Sequence, residues 1–283
     1  MAVQGLDVSV IQGASVPYPA LRALGHEFVF VRCQVGNNAG RDTLFEANIR
    51  RAKDAGLFCT PYLFPFPLTH LDPIAQADIF LQATMLDGHP VGADIGELPQ
   101  AYDLEWPPPE EWAKRGCSAD QIVDWSLAAL DRMHTNTGQA PIIYSYPYFL
   151  QMLAKAKNFP MLLKYKLWIA GGPQYRNGNG VVPDVTKQQP PKVVGWGNDW
   201  LFWQWDGDGG KRIPGINVDA DFNLFNGELV DLARLCQSNE AKDVVVTPED
   251  IAVMHAEASS LIMDDELHAY RQARANVIIA EAA

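Results

Sequence analysis

The chain has 283 residues, 48% hydrophobic and 20% charged, with a formal net charge of −12. Such a length and composition suit one large domain with ample core, or one plus a small appendage. The negative charge argues against nucleic acid as the main partner, and no apolar run approaches the ~18 residues of a membrane span. The opening "MAVQGLDVSV" has neither the basic start nor the long apolar stretch of a signal peptide. Synthesis in a cytoplasm without standard export, and no membrane insertion, are therefore expected.

The N-terminal third alternates strand and helix patterns. "GLDVSV" (5–10) predicts a strand, and "EFVFVRCQ" (27–34) a second, almost continuously apolar one. "TLFEANIRRAKDAG" (43–56) has helical spacing at Leu44, Ala47, Ile49 and Ala52 and stops at Gly56. "LFCTPYLF" (57–64) is the third strand. "DPIAQADIFLQATML" (72–86) opens on an Asp cap followed by Pro, so it reads as a helix.

The same alternation continues. "QAYDLEW" (100–106) is the fourth strand. "SADQIVDWSLAALDRMHTNTG" (118–138) starts with Ser118 and Gln121, the spacing of a capping box. "APIIYS" (140–145), "KLWIA" (166–170), "LFWQWD" (201–206) and "INVDADF" (216–222) bring the strands to about eight. Residues 171–199 are rich in Gly, Pro and Asn and read as loop or hairpin.

Strands buried on both faces and alternating with helices indicate a parallel α/β sheet. About eight of them favour closure into a barrel. The last three lack convincing helices between them. The expected fold is an irregular (β/α) barrel over residues 1–235, with fewer than eight helices. An acidic helical extension (236–283) follows. It carries nine acids and three bases, half the net charge, and a fresh helix cap at Thr247–Pro248. It is either a cap on the barrel or an assembly contact with itself or another chain.

Cys33, Cys59, Cys117 and Cys236 form no CxxC pair and read as reduced thiols. The histidines have no metal-ligand spacing, so neither a metal nor a cofactor is expected.

The acids carry the chemistry. In "AYDLEW" (101–106), Asp103 and Glu105 lie two apart in a strand-like run. On a strand such residues share a face, roughly 7 Å apart. Repulsion and partial burial then raise one pKa and leave the other low, which suits a general acid beside a stabilising carboxylate. A strand end with solvated acids, or an internal ion pair, explains the pair equally well. Asp7 sits in the first strand, and Asp219 and Asp221 sit near the last. In a closed barrel those strands are neighbours. Several acids converging on one mouth suit glycosidic-bond hydrolysis. Tyr62, Phe64, Tyr102, Trp106, Tyr144, Tyr146, Trp203 and Trp205 lie at the same strand ends. They are candidate sugar platforms, or simply core.

"GLDVSVIQG" (5–13), "YDLE" (102–105), "LWIA" (167–170), "FWQW" (202–205) and "GINVDADFNLFNG" (215–227) stand in an order and spacing that resemble glycoside hydrolase family 25. "DTLFEANIRRAKDAGL" (42–57) resembles that family's second-helix signature, with Asp42, Phe45, Asn48, Ala52 and Gly56 in place. These are lysozymes (N-acetylmuramidases) common among phage endolysins and bacterial autolysins. The resemblance covers roughly residues 4–235. It implies an irregular barrel that cleaves the β-1,4 bond between N-acetylmuramic acid and N-acetylglucosamine in peptidoglycan.

Carried over to this chain, Glu105 is the general acid and Asp103 orients the substrate's acetamido group. Asp7 matches the first-strand acid. The last-strand acid falls six residues after Gly215 and six before Gly227, which selects Asp221. Asp219 stays a substrate-binding candidate, with Tyr62, Phe64, Tyr144, Trp203 and Trp205. Retention through the acetamido group, or inversion with Asp7 or Asp221 holding water, are both open. Two departures stand out. Leu63 occupies the place of a His, and Gly172 that of a Tyr, so one aromatic wall is either missing or supplied from residues 173–199. Two other readings are a glycan-binding barrel of a phage particle with little turnover, and a chitinase-like hydrolase. The resemblance has the protein act on the bacterial wall after release, or as part of a particle.

Overall fold

The structure is a computed structural model that describes residues 2–36, 41–68, 72–94, 96–173, 175, 181–207 and 220–236. The expected C-terminal helices, Cys236 apart, lie outside the described residues, as do Asp219 and residues 216–219 of the last expected strand.

Eight strands close into a barrel: β1 (Val3–Val8), β2 (His26–Val35), β3 (Phe58–Phe64), β6 (Ala101–Asp103), β7 (Ile142–Ser145), β8 (Lys166–Ala170), β9 (Phe202–Asp206) and β10 (Asp221–Phe225). A two-residue hairpin, β4 (Met85–Leu86) and β5 (His89–Pro90), stands apart. The α-helices among the described residues are α1 (Tyr18–Ala23), α2 (Phe45–Asp54), α3 (Pro73–Ala83), α4 (Trp112–Arg115), α5 (Ala119–Thr137), α6 (Pro147–Leu153) and α7 (Leu229–Leu235). Their ends follow local chemistry. Asp72 accepts from the Ala75 amide at the start of α3. Ser118 and Gln121 form the capping box of α5, and Gly138 ends it at φ 70°.

The sheet is mixed, which corrects the parallel expectation. β10 runs antiparallel to both β1 and β9, while the other neighbours are parallel. An antiparallel neighbour needs no crossover helix, consistent with the missing helix pattern before β10. β10 also begins later than expected, at Asp221. Its reversed direction puts that first residue at the mouth where the parallel strands end, opposite Asp7 in the ladder.

Alternate strand residues fall into two clusters. Leu6, Val29, Val31, Leu63, Ile143, Leu167, Ile169 and Leu224 pack outward under the helices. Phe28, Phe30, Phe58, Trp168 and Phe202 fill the lumen. Phe30 stacks on Trp168 at 4.1 Å and meets Phe202 edge-on at 5.0 Å. Leu98, Leu232, Ala233 and Cys236 join the lumen cluster beside Val3 and Phe225 and form its floor. All four cysteines are free thiols, and Cys33, Cys59 and Cys236 are buried.

Candidate active site

The mouth lies at the end opposite this floor. Asp7 near the end of β1 and Asp103 at the end of β6 are both buried. Glu105 is half-buried. β6 stops at Asp103, so Glu105 is not a strand residue as expected. The extended path nevertheless persists: the Leu104 amide donates to the Tyr144 carbonyl at 2.8 Å, and Ser145 Oγ donates to the Leu104 carbonyl at 2.7 Å. These two bonds fix the backbone immediately before Glu105.

The acids converge. Burial pushes the Tyr62 hydroxyl well above its ordinary pKa, and Asp7, Asp103 and Asp221 add to the shift while Arg32 opposes it. Burial does the same to Tyr144, reinforced by Glu105, Tyr175, Asp103 and Asp7. Tyr146 is pushed up to about 12 by burial, with Glu105 and Glu110 contributing. A carboxylate acts on a phenol this way only from close by. Asp7, Asp103, Glu105 and Asp221 thus share one mouth, lined by Tyr62 and Tyr144. Asp219 lies outside the described residues.

A hydrogen-bond network links the mouth residues. Gln204 Nε2 and Asn223 Nδ2 both donate to Asp7 Oδ2, at 2.9 and 2.7 Å. Tyr144 and Tyr175 donate their hydroxyls to Gln204 Oε1, at 2.8 and 3.2 Å. Trp168 Nε1 donates to Asn223 Oδ1 at 2.7 Å. None of Gln204, Asn223, Trp168 or Tyr175 was singled out from sequence. Asp206 is also buried, opposite Phe222 where the β9–β10 register shifts, and was not singled out from sequence either.

The aromatic candidates divide. Phe64 is half-buried at the rim and meets Phe66 edge-on at 5.7 Å. Phe66 lies 4.6 Å from Trp106, and the Arg115 guanidinium sits 4.7 Å over the Trp106 ring. These half-buried rings form one wall. Trp203 and Trp205 do not line the mouth. They alternate with Gln204, point outward and are 1% and 3% exposed in the cluster under the helices. Trp203 Nε1 donates to the Gly171 carbonyl at 2.6 Å, and Trp205 packs on Phe222.

The two departures also find a physical reading. Leu63 is buried on the outward face, so the replaced His position is not in the mouth. Gly172 has φ 119°, and a Cβ there would lie 3.0 Å from Trp203. That backbone excludes a Tyr side chain. An aromatic group comes instead from Tyr175, three residues on.

Residues 6–216 match the model of the glycosyl hydrolases family 25. Lysozyme M1 of Streptomyces globisporus is 28% identical over 236 residues, 83% of this chain and 72% of that protein. A bacterial lysozyme from Streptomyces coelicolor superposes with a TM-score of 0.66 at 28% identity, covering 83% of this chain and 96% of that one. The CTP1L endolysin matches at a TM-score of 0.57 and 18% identity over 99% of both chains, a likeness of fold alone.

Proposed function

This chain belongs to glycosyl hydrolases family 25 and is a muramidase acting on peptidoglycan, and from that premise we propose how its own residues cut the β-1,4 bond between N-acetylmuramic acid and N-acetylglucosamine. The observation that carries the reading is the convergence of Asp7, Asp103, Glu105 and Asp221 around Tyr62 and Tyr144. Glu105, on the half-buried segment beyond β6, gives its proton to the leaving glycosidic oxygen. Asp103 orients the acetamido group, whose carbonyl oxygen attacks the anomeric carbon. Asp7 and Asp221, paired across β1 and β10, stabilise the positive charge that develops there. Water then opens the intermediate, with Glu105 taking back a proton. Phe64, Phe66 and Trp106 form the wall on which a sugar ring stacks. The enzyme reaches the wall after release or within a particle.

Glu105→Gln tests the assignment. With purified peptidoglycan, we expect a fall in kcat of about 10²–10⁴-fold in a variant with an unchanged melting temperature. Borohydride labelling of the new reducing ends should mark N-acetylmuramic acid. Proton NMR of the first product should show the β-anomer. A folded variant with wild-type lysis rejects Glu105 as the acid, and an α-anomer transfers the attacking step to a water held by Asp7 or Asp221.

A further inference from the structure

The mouth sets a problem of proton placement. Asp7, Asp103, Glu105 and Asp221 share it. Carboxyls this close titrate as a group, and a proton given to the group settles where it is held best. The mechanism above needs that proton on Glu105 and on no other.

We propose that Gln204 and Asn223 are positioning residues that keep Asp7 ionised, so that the shared proton is left to Glu105. This rests on the assignment of Asp7 to the catalytic acids. An indole N–H only donates. The Asn223 atom facing Trp168 is therefore its oxygen, at 2.7 Å, and its NH₂ group is forced toward Asp7. The Gln204 oxygen takes the hydroxyls of Tyr144 and Tyr175, which use both its lone pairs, and its NH₂ group also faces Asp7. Asp7 Oδ2 thus meets two N–H donors. A proton on that oxygen would point at donors rather than acceptors, so the pair of amides favours the carboxylate.

The charged and titratable groups named above act on Asp7 differently. Asp103 from β6 and Asp221 from β10 both favour a protonated neighbour, and Glu105 does the same from beyond β6. The Tyr62 and Tyr144 phenols are neutral. Arg32 on β2 is a cation, but it is engaged by Asp42 at 3.2 Å. At Asp7 two uncharged amides of fixed orientation favour the ionised form. Trp168, buried in the lumen, orients Asn223 and also packs edge-on against Tyr144 at 4.6 Å.

The test uses the full chain and three variants. Asn223→Asp keeps the size and the bond from Trp168 but turns an acceptor toward Asp7. Trp168→Phe leaves both amides and frees Asn223 to turn. Asp7→Asn tests the assignment beneath. Two quantities are read: the ¹³C carboxyl titration of Asp7, and the acid limb of kcat/KM on peptidoglycan. In Asn223→Asp we expect the Asp7 midpoint and the acid limb to rise together by about one pH unit or more, with kcat/KM down about 10²-fold at neutral pH. Trp168→Phe should move both the same way by less. If Asn223→Asp does not fold, Trp168→Phe decides. An unmoved midpoint and limb in the folded variants, with Asp7→Asn inactive, overturns the inference alone. An Asp7→Asn enzyme with wild-type activity overturns the catalytic assignment and the inference with it.

Discussion

Asp221 faces Asp7 across the β1–β10 ladder, and its carboxylate acts on Tyr62 within the mouth. Asp221→Asn should therefore lower kcat on the order of 10²-fold, and Asp219→Asn far less. Measuring both on purified peptidoglycan checks the register, and a larger loss from Asp219→Asn in a folded protein moves the last-strand role to Asp219. The carboxylates gathered at the mouth were legible because carboxylates in apolar strands are conspicuous, and the glycine spacing singled out Asp221. The amides were not, since a Gln or Asn within a strand looks like any polar residue until its partners are known. "FWQWD" shows the converse error. Its two alternating sets of residues sit on opposite faces, and the aromatic set attracts attention. A shift of one residue exchanges every side chain between faces, so Phe202 and Gln204 turn to the lumen while Trp203 and Trp205 go under the helices.

At the level of elements, capped helices and apolar strands were readable, because caps and periodicity are local. The direction of β10 was not, because a period of two carries no sign. The short β6 was overrun for a related reason: Leu104 continues the hydrogen bonding past the strand's end. The seam between β1 and β2 supplies a test of its own. His26 opens β2 opposite Gln4, beside a register shift at Gly5, and is buried near Phe222. Burial lowers its pKa from 6.5 to about 4, against a hydrogen bond with the Gly5 backbone. The unfolded chain therefore binds this proton at a higher pH than the folded one. Stability is fully present above about 6.5 and falls as pH drops toward about 4, by about 3 kcal/mol at the limit. Urea midpoints of the wild type should fall more steeply across that window than those of His26→Phe, which loses this part of the slope. Parallel curves would show that His26 titrates normally.

The whole molecule has two ends with different tasks. The acids occupy the mouth, whereas α7 and Cys236 close the floor of the barrel. Leu232, Ala233 and Cys236 are completely buried there, and the Gly96 amide donates to the Cys236 carbonyl at 2.7 Å. The chain passes Cys236 at the end opposite the chemistry, and residues 237–283 then carry half of its net charge of −12. Like charges repel, so that segment is a poor anchor for anionic wall polymers. Its apolar positions Ile251, Met254, Ala258, Leu261 and Ile262 have helical spacing, which suits a covered face. A chain truncated after about residue 238 keeps the floor intact. It should hydrolyse soluble glycan strands with unchanged kcat/KM while changing its melting temperature or sedimentation. A chain cut after Glu228 loses α7 and the floor, with each buried apolar side chain worth about 1.5–3 kcal/mol, and should unfold. Side-by-side activity, melting and sedimentation of the three chains separate these outcomes. If the longer truncation folds and binds glycan yet does not cleave it, the extension contributes to the active site, and the division into a catalytic barrel and a separate acidic segment fails.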